Sequence, residues 1–161
     1  MFTIGFLIKV NKLPSATWTN VFHFTADADN GKYGDCIPAL YIHKDGHFLV
    51  CSAVNGNQNC KNINFVVGKE YQMAIVQYKE GQIYSFEVIK DDQRQYKIAN
   101  TDARSFPKVE FYASDPWNPS FSSNWGSICN LNIEGMNVFL GPHKGMVHYQ
   151  IRQIRQKFRK S

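Results

Sequence analysis

Ile4, Phe6, Ile8 and Val10 occupy every second position at the start of the chain, the period of a strand with one buried face. The same short-range alternation recurs along most of the sequence. Trp18 to Thr25 reads as a strand with Val21 and His23 on one face and Phe22 and Phe24 on the other. Leu40–Ile42 and Phe48–Val50 flank Asp45-Gly46, and a second turn pair, Asn55-Gly56, closes the next run. Asp-Gly and Asn-Gly between β-prone runs mark hairpins, because these residues tolerate the positive φ that tight hairpin turns require. Further strands are expected at Ile63–Val67, Tyr71–Tyr78, Gln82–Lys90, Gln95–Ala99, Val109–Tyr112, Ser127–Ile133 and Met136–Leu140. Short strands at spacings of about ten residues, with Gly, Asn and Asp turns, predict an all-β protein built as a two-sheet antiparallel sandwich or barrel.

The pattern changes near the C-terminus. Val147, Ile151, Ile154 and Phe158 fall at helical spacing, with Arg152, Arg155, Lys157, Arg159 and Lys160 on the remaining faces. Residues 1–143 therefore read as one sandwich domain and 144–161 as a basic amphipathic tail, a helix if it folds alone. The net charge of +5 belongs to this tail: 144–161 hold six basic residues and no acidic one, leaving 12 basic against 13 acidic in the body. Such a tail suits an anionic membrane surface or an acidic partner. The plainer alternative is a terminus lying on its own domain. A globular nucleic-acid reader carries its charge on the domain face, so no specific nucleic-acid binding is expected.

A chain of 161 residues with 43% hydrophobic and 14% aromatic content can bury one proper core. The N-terminus lacks the basic leader and small-residue cleavage site of a signal peptide. Cys36, Cys51, Cys60 and Cys129 permit two disulfides in three pairings, and Cys51 and Cys60 flank the Asn55-Gly56 turn. No CxxC pair occurs, which argues against a zinc ribbon or a thioredoxin-like site.

Three stretches carry candidate chemistry. Asp27 to Asp35 forms a long acidic loop in which Asp27, Asp29, Asn30 and Asp35 could supply oxygens to calcium; the alternative is a solvated turn capping its own backbone. Tyr112, Asp115, Trp117, Asn118 and Trp125 set aromatics among turn formers and amides, the combination that grips a sugar by stacking and hydrogen bonds. The same Trp117 between two prolines also suits a plug for one end of a sandwich. His43 and His47 flank the Asp45-Gly46 turn and are candidates for a metal pair or, more plainly, turn histidines. No Glu-x-Asp-x-Glu run, H-E-x-x-H, G-x-S-x-G or phosphate loop occurs, so no enzymatic activity is expected.

The segments YGDCIPALYI, LVCSAVNGNQN, FPKVEFYASDPWNPS and GSICNLNI resemble the concanavalin A-like jelly-roll superfamily, of the laminin-G and lectin type, in its invertebrate extracellular form. The resemblance spans about residues 3 to 134. It implies a secreted, non-catalytic recognition module that binds a glycan or an extracellular protein through loops at one end of the sandwich. The alternative is a structural domain acting on a membrane or assembly through its tail.

Overall fold

The computed structural model describes residues 1–26 and 32–140, and the backbone of 151–155. Twelve strands follow in order: β1 (Phe2–Val10), β2 (Trp18–Thr25), β3 (Ala39–His43), β4 (His47–Val54), β5 (Asn57–Asn64), β6 (Glu70–Glu80), β7 (Ile83–Lys90), β8 (Gln93–Asn100), β9 (Val109–Tyr112), β10 (Gly126–Glu134), β11 (Val138–Leu140) and β12 (Ile151–Arg155). They form two six-stranded sheets, β12-β10-β1-β6-β7-β8 and β11-β9-β2-β3-β4-β5. The expected all-β sandwich is what the chain builds.

Alternation explains why the layers stick. The inward residues of β1 (Phe2, Ile4, Phe6, Ile8, Val10) and of β6 (Tyr71, Met73, Ile75) are buried. They share one core with Phe22, Phe24, Leu40, Ile42, Phe48 and Val50 of the second sheet. Phe6 meets Phe22 edge to face at 5.2 Å between ring centres. At Gly126, where β10 pairs with Val10, an added Cβ would collide with the Lys9 carbonyl, so only glycine lets the two backbones close up.

Several details differ from the sequence reading, each for a local reason. Asn55 and Gly56 both take positive φ, as a two-residue turn demands, but at Asp45-Gly46 only Gly46 does (φ 88°). That hairpin has a three-residue loop, Lys44 to Gly46, between the paired His43 and His47. The strand after Asn55-Gly56 runs from Asn57 to Asn64, earlier than the apolar Ile63–Val67 run. Register with β4 and a polar edge outweigh hydrophobicity there. In β2 the pairing with β3 shifts between Asn20 and Phe22. This bulge turns Val21 into the core beside Phe22 and Phe24 and leaves His23 opposite Ala39 on the outer side, so Val21 and His23 do not share a face.

The sandwich is not antiparallel throughout. β11 pairs parallel with β9, and β12 pairs parallel with β10. The tail segment Ile151–Arg155 is thus a strand at the edge of the first sheet, not part of an amphipathic helix. Backbone bonding along the open edge of β10 wins over the helical spacing of the side chains. Arg152 and Arg155 sit on this strand, while Lys157, Arg159 and Lys160 lie outside the described residues.

Cys51 and Cys60 face each other across β4 and β5 and form a disulfide; Cys36 and Cys129 are free. The bridge closes a short loop around the Asn55-Gly56 turn, at the sheet edge. Chain-entropy reasoning puts its contribution at about 2–3 kcal/mol. Cys51→Ala/Cys60→Ala should lower the unfolding free energy by that amount in urea titrations, with Cys36 and Cys129 left as they are.

Candidate functional site

The outer side of the second sheet carries its own small cluster: Cys36, Ala39, Tyr41 and Cys51 are buried there, with Trp18 and Leu49 packed against them. His23 lies at the edge of this cluster, fully buried although it faces away from the main core. The chain after β9 covers it. Ser114 adopts a left-handed φ of 67°, donates its hydroxyl to the Asn20 carbonyl at 3.0 Å and turns the backbone back over β2. Phe121 N donates to the Asn20 carbonyl in turn, and a bridge joins Asn20 to Ser120.

This path lands Asp115 on His23. Nδ1 of His23 lies 2.8 Å from Asp115 Oδ2, and both side chains are inaccessible to solvent. The other ring nitrogen, Nε2, bonds the Asp35 carbonyl. Both nitrogens therefore face oxygen acceptors, and only the doubly protonated ring satisfies both. Burial pushes the His23 pKa down, but the Asp115 carboxylate, the Cys36 sulfur and the Asp35 carbonyl outweigh it and raise the pKa to about 9. His23 is an imidazolium at neutral pH. Its charge is met by one carboxylate 92 residues away in the chain.

Asp115 has no valence left over. Oδ1 accepts from the backbone of Trp117 (3.1 Å) and Asn118 (2.7 Å), the Asn118 amide reaches both oxygens at 3.1 Å, and the Asp115 N–H donates to Asn20 Oδ1 at 2.9 Å. The carboxylate is used inside the protein, where sequence reasoning had set it out for a ligand. What it does is fix the turn Pro116–Pro119. Tyr112 is buried as well, and its hydroxyl donates to Glu110 at 2.8 Å. Trp117 stands on this base, edge-on to both His23 and Tyr112 at 5.5 Å, and is 39% exposed. So Tyr112, Asp115, Trp117 and Asn118 do come together. Trp125 does not join them: it packs against the main core, and its carbonyl accepts from the backbone of Asn11 (2.7 Å) and Lys12 (3.2 Å).

Cys36 Sγ lies 3.7 Å from His23 Nε2 and 4.0 Å from the Tyr41 hydroxyl. Cysteine, histidine and aspartate thus stand in the order of a nucleophile, a base and the group that orients the base. The details work against that use. A histidine already donating through Nε2 to a carbonyl has no lone pair for a thiol proton, and Cys36 is only 1% exposed. The constellation works as a clamp joining β2, the segment before β3 and the loop after β9.

The remaining sequence candidates separate. Asp27, Asp29 and Asn30 lie outside the described residues. Asp35 is buried, with Oδ2 accepting from the Lys32 backbone and Oδ1 without a partner. Among the described residues no three acidic, histidine or cysteine side chains are grouped for a metal. His43 and His47 stack face to face, 4.5 Å between centres and 20° between planes, with Trp18 over His43 at 4.2 Å. Stacked rings point their lone pairs side by side instead of toward one centre. Burial and the neighbouring His43 hold the His47 pKa below its usual range, against the opposing pull of Asp45. The clamp residues His23, Asn20, Cys36 and Tyr41 went unpredicted, because a histidine within an apolar strand gives no local sign of its partner.

Compared with family models and with curated proteins, the sequence matches none.

The clamp makes stability depend on pH. A pKa raised from 6.5 to about 9 means that the folded state holds a proton that the unfolded state releases first. This stabilisation is complete below pH 6.5 and is lost as pH rises through 9; its full size is on the order of 3 kcal/mol. His23→Gln should lose stability at pH 6 and show a flatter profile between pH 6.5 and 9, measured by chemical denaturation. Asp115→Asn leaves a buried charge unmatched and should cost about 3–5 kcal/mol at neutral pH.

Proposed function

We propose that this protein is a non-catalytic recognition module of the concanavalin A-like, laminin-G type that works outside the cell and binds glycans through Trp117. The observation that carries this reading is the posture of that residue. A part-exposed indole on a turn between two prolines is held from below by a buried ion pair and by four hydrogen bonds to one carboxylate. Holding a large aromatic ring in place before a ligand arrives lowers the entropy lost on binding. An indole face stacks on the apolar side of a sugar ring, and the Asn118 backbone and Pro119 lie beside it for contacts at the rim.

Two further features support the reading. The Cys51–Cys60 disulfide fits an oxidising compartment. The cysteine, histidine and aspartate that could have carried chemistry are used up in holding the loop, which favours binding over turnover. A protein partner docking on the same indole is the alternative occupant.

Glycan-array binding by the wild type and by Trp117→Ala is the direct test. Trp117→Ala should keep the wild-type far-ultraviolet circular dichroism, since the clamp beneath it is intact, and should bind the best glycan about tenfold more weakly or worse. Equal binding by the two proteins would remove Trp117 from the reading.

A further inference from the structure

Among the described residues only two Phe, Tyr or Trp side chains are exposed: Trp117 at 39% and Phe139 at 47%. Phe139 is the middle residue of β11. Val138 before it packs against the main core, so alternation sends Phe139 to the outer side of the second sheet. That is the side on which Trp117 stands. The two rings terminate one unbroken run of contacts. Trp117 meets the Tyr112 ring, and the Tyr112 hydroxyl donates to Glu110 Oε2 at 2.8 Å. Glu110 Oε1 accepts from Lys108 Nζ at 3.0 Å, and the same ammonium lies 5.9 Å from the centre of the Phe139 ring.

The spacing of the rings follows from the sheet. His23 and Tyr112 are opposite one another on β2 and β9, and Trp117 lies 5.5 Å from each, so the indole sits over the seam between those strands. Phe139 lies opposite Glu110, one strand beyond β9 and two residues along from Tyr112. Strands are about 4.8 Å apart and rise about 3.3 Å per residue, which sets the two side chains about 7 Å apart across the sheet, about 7 Å along it and about 10 Å on the diagonal. No single sugar ring reaches both. Between them the polar groups have capacity to spare. Each Glu110 oxygen has accepted one hydrogen bond and keeps a second lone pair, and Lys108 has used one of three N–H donors. The two side chains are 36% and 65% exposed. The Tyr112 hydroxyl and the Lys108 ammonium hold the Glu110 carboxyl below its usual range, so it is an ionised acceptor at neutral pH.

We propose that Phe139 is a second stacking platform of the Trp117 site, which therefore takes a linear oligosaccharide laid across β9, with Glu110 and Lys108 bonding hydroxyls of the sugar between the two rings. The proposal rests on the reading of Trp117 as a sugar contact and adds to it a length of ligand and a second anchor. Sugar hydroxyls both donate and accept, so a carboxylate beside an ammonium suits them without selecting a charged ligand. A β-1,4-linked glucose chain matches the two anchors best: its hydroxyls lie at the ring edges, leaving both faces of each ring apolar, and the chain runs straight.

Isothermal titration with cellobiose, cellotetraose, cellohexaose, the bent maltohexaose and a decaproline peptide tests it, on the wild type, Phe139→Ala, Phe139→Tyr and Trp117→Ala. The wild type should bind cellotetraose about fivefold more tightly than cellobiose, the gain of one further stacked ring. In Phe139→Ala the affinity for cellotetraose should drop to that for cellobiose, while Phe139→Tyr should keep the difference. Trp117→Ala should weaken every length. Phe139→Ala should melt as the wild type does, because the ring lies outside the core, so lost affinity cannot be ascribed to unfolding. Affinity independent of chain length, a length dependence that survives in Phe139→Ala, maltohexaose bound as tightly as cellohexaose, or no binding of any cello-oligosaccharide would overturn the proposal. Decaproline bound in place of the sugars would also overturn it, by making the occupant a polypeptide. Length-independent binding that only Trp117→Ala weakens would leave the recognition reading standing and remove this one.

Discussion

A buried imidazolium facing a buried carboxylate is the constraint on which the outer half of this protein depends. His23 and Asp115 are both cut off from water, so neither charge is tolerable without the other. Desolvation raises the energy of each ion, and the contact recovers it only while the loop after β9 stays folded over β2. The pair therefore works less as a source of stability than as a condition on geometry. If Ser114 leaves its left-handed turn, or the Asp35 carbonyl moves off Nε2, a charge is stranded. This is why a loop of turn formers, which would otherwise be mobile, forms a fixed surface with Trp117 at its crest.

The sandwich beneath is held differently. Its two sheets join through interdigitated aromatic and aliphatic side chains, Phe6 on Phe22 and Phe24 on Phe111 among them, with no charge involved. That core is non-directional and tolerant, whereas the clamp is directional and exacting. The two parts meet at β2, which sends Val21, Phe22 and Phe24 inward and His23 outward. One bulge makes this possible. Without it the strand could not send the adjacent Val21 and Phe22 to the core together and still bring the next residue, His23, to the far side.

The edges show how unpaired backbone is managed. β5 ends the second sheet with a run of amides and a lysine, and is pinned to β4 by the disulfide. β10 would be the open edge of the first sheet, and β12 covers it. On the exposed side of the first sheet Glu87 is buried under Tyr78, Lys97 and Arg94. Burial raises its pKa, but the Tyr78 hydroxyl, the Lys97 ammonium and the Arg94 guanidinium outweigh that and hold the carboxyl below its usual range. The polar side of this sheet is thereby closed by a charge network instead of by apolar packing.

Much of the fold was determined by sequence alone, because alternation and turn chemistry are local. Ile4, Phe6, Ile8 and Val10 announce β1, and Asn55-Gly56 announces its hairpin; which of the three cysteine pairings forms was decided by the register of β4 and β5, which sets Cys51 opposite Cys60. The cluster of Tyr112, Asp115, Trp117 and Asn118 was legible too, since four such residues within seven positions lie close in space where a strand runs into a turn. The role of each was not. Asp115 reads as an outward acceptor until β2 brings His23 beneath it, and nothing near His23 in the chain hints at a partner 92 residues on. Trp125 looks like a fifth member and is carried away by the start of β10. The tail is the clearest case: its side chains repeat at helical spacing, yet Ile151–Arg155 lies on a sheet edge, because an open row of backbone donors and acceptors is a feature of the assembled structure and is written in no one segment.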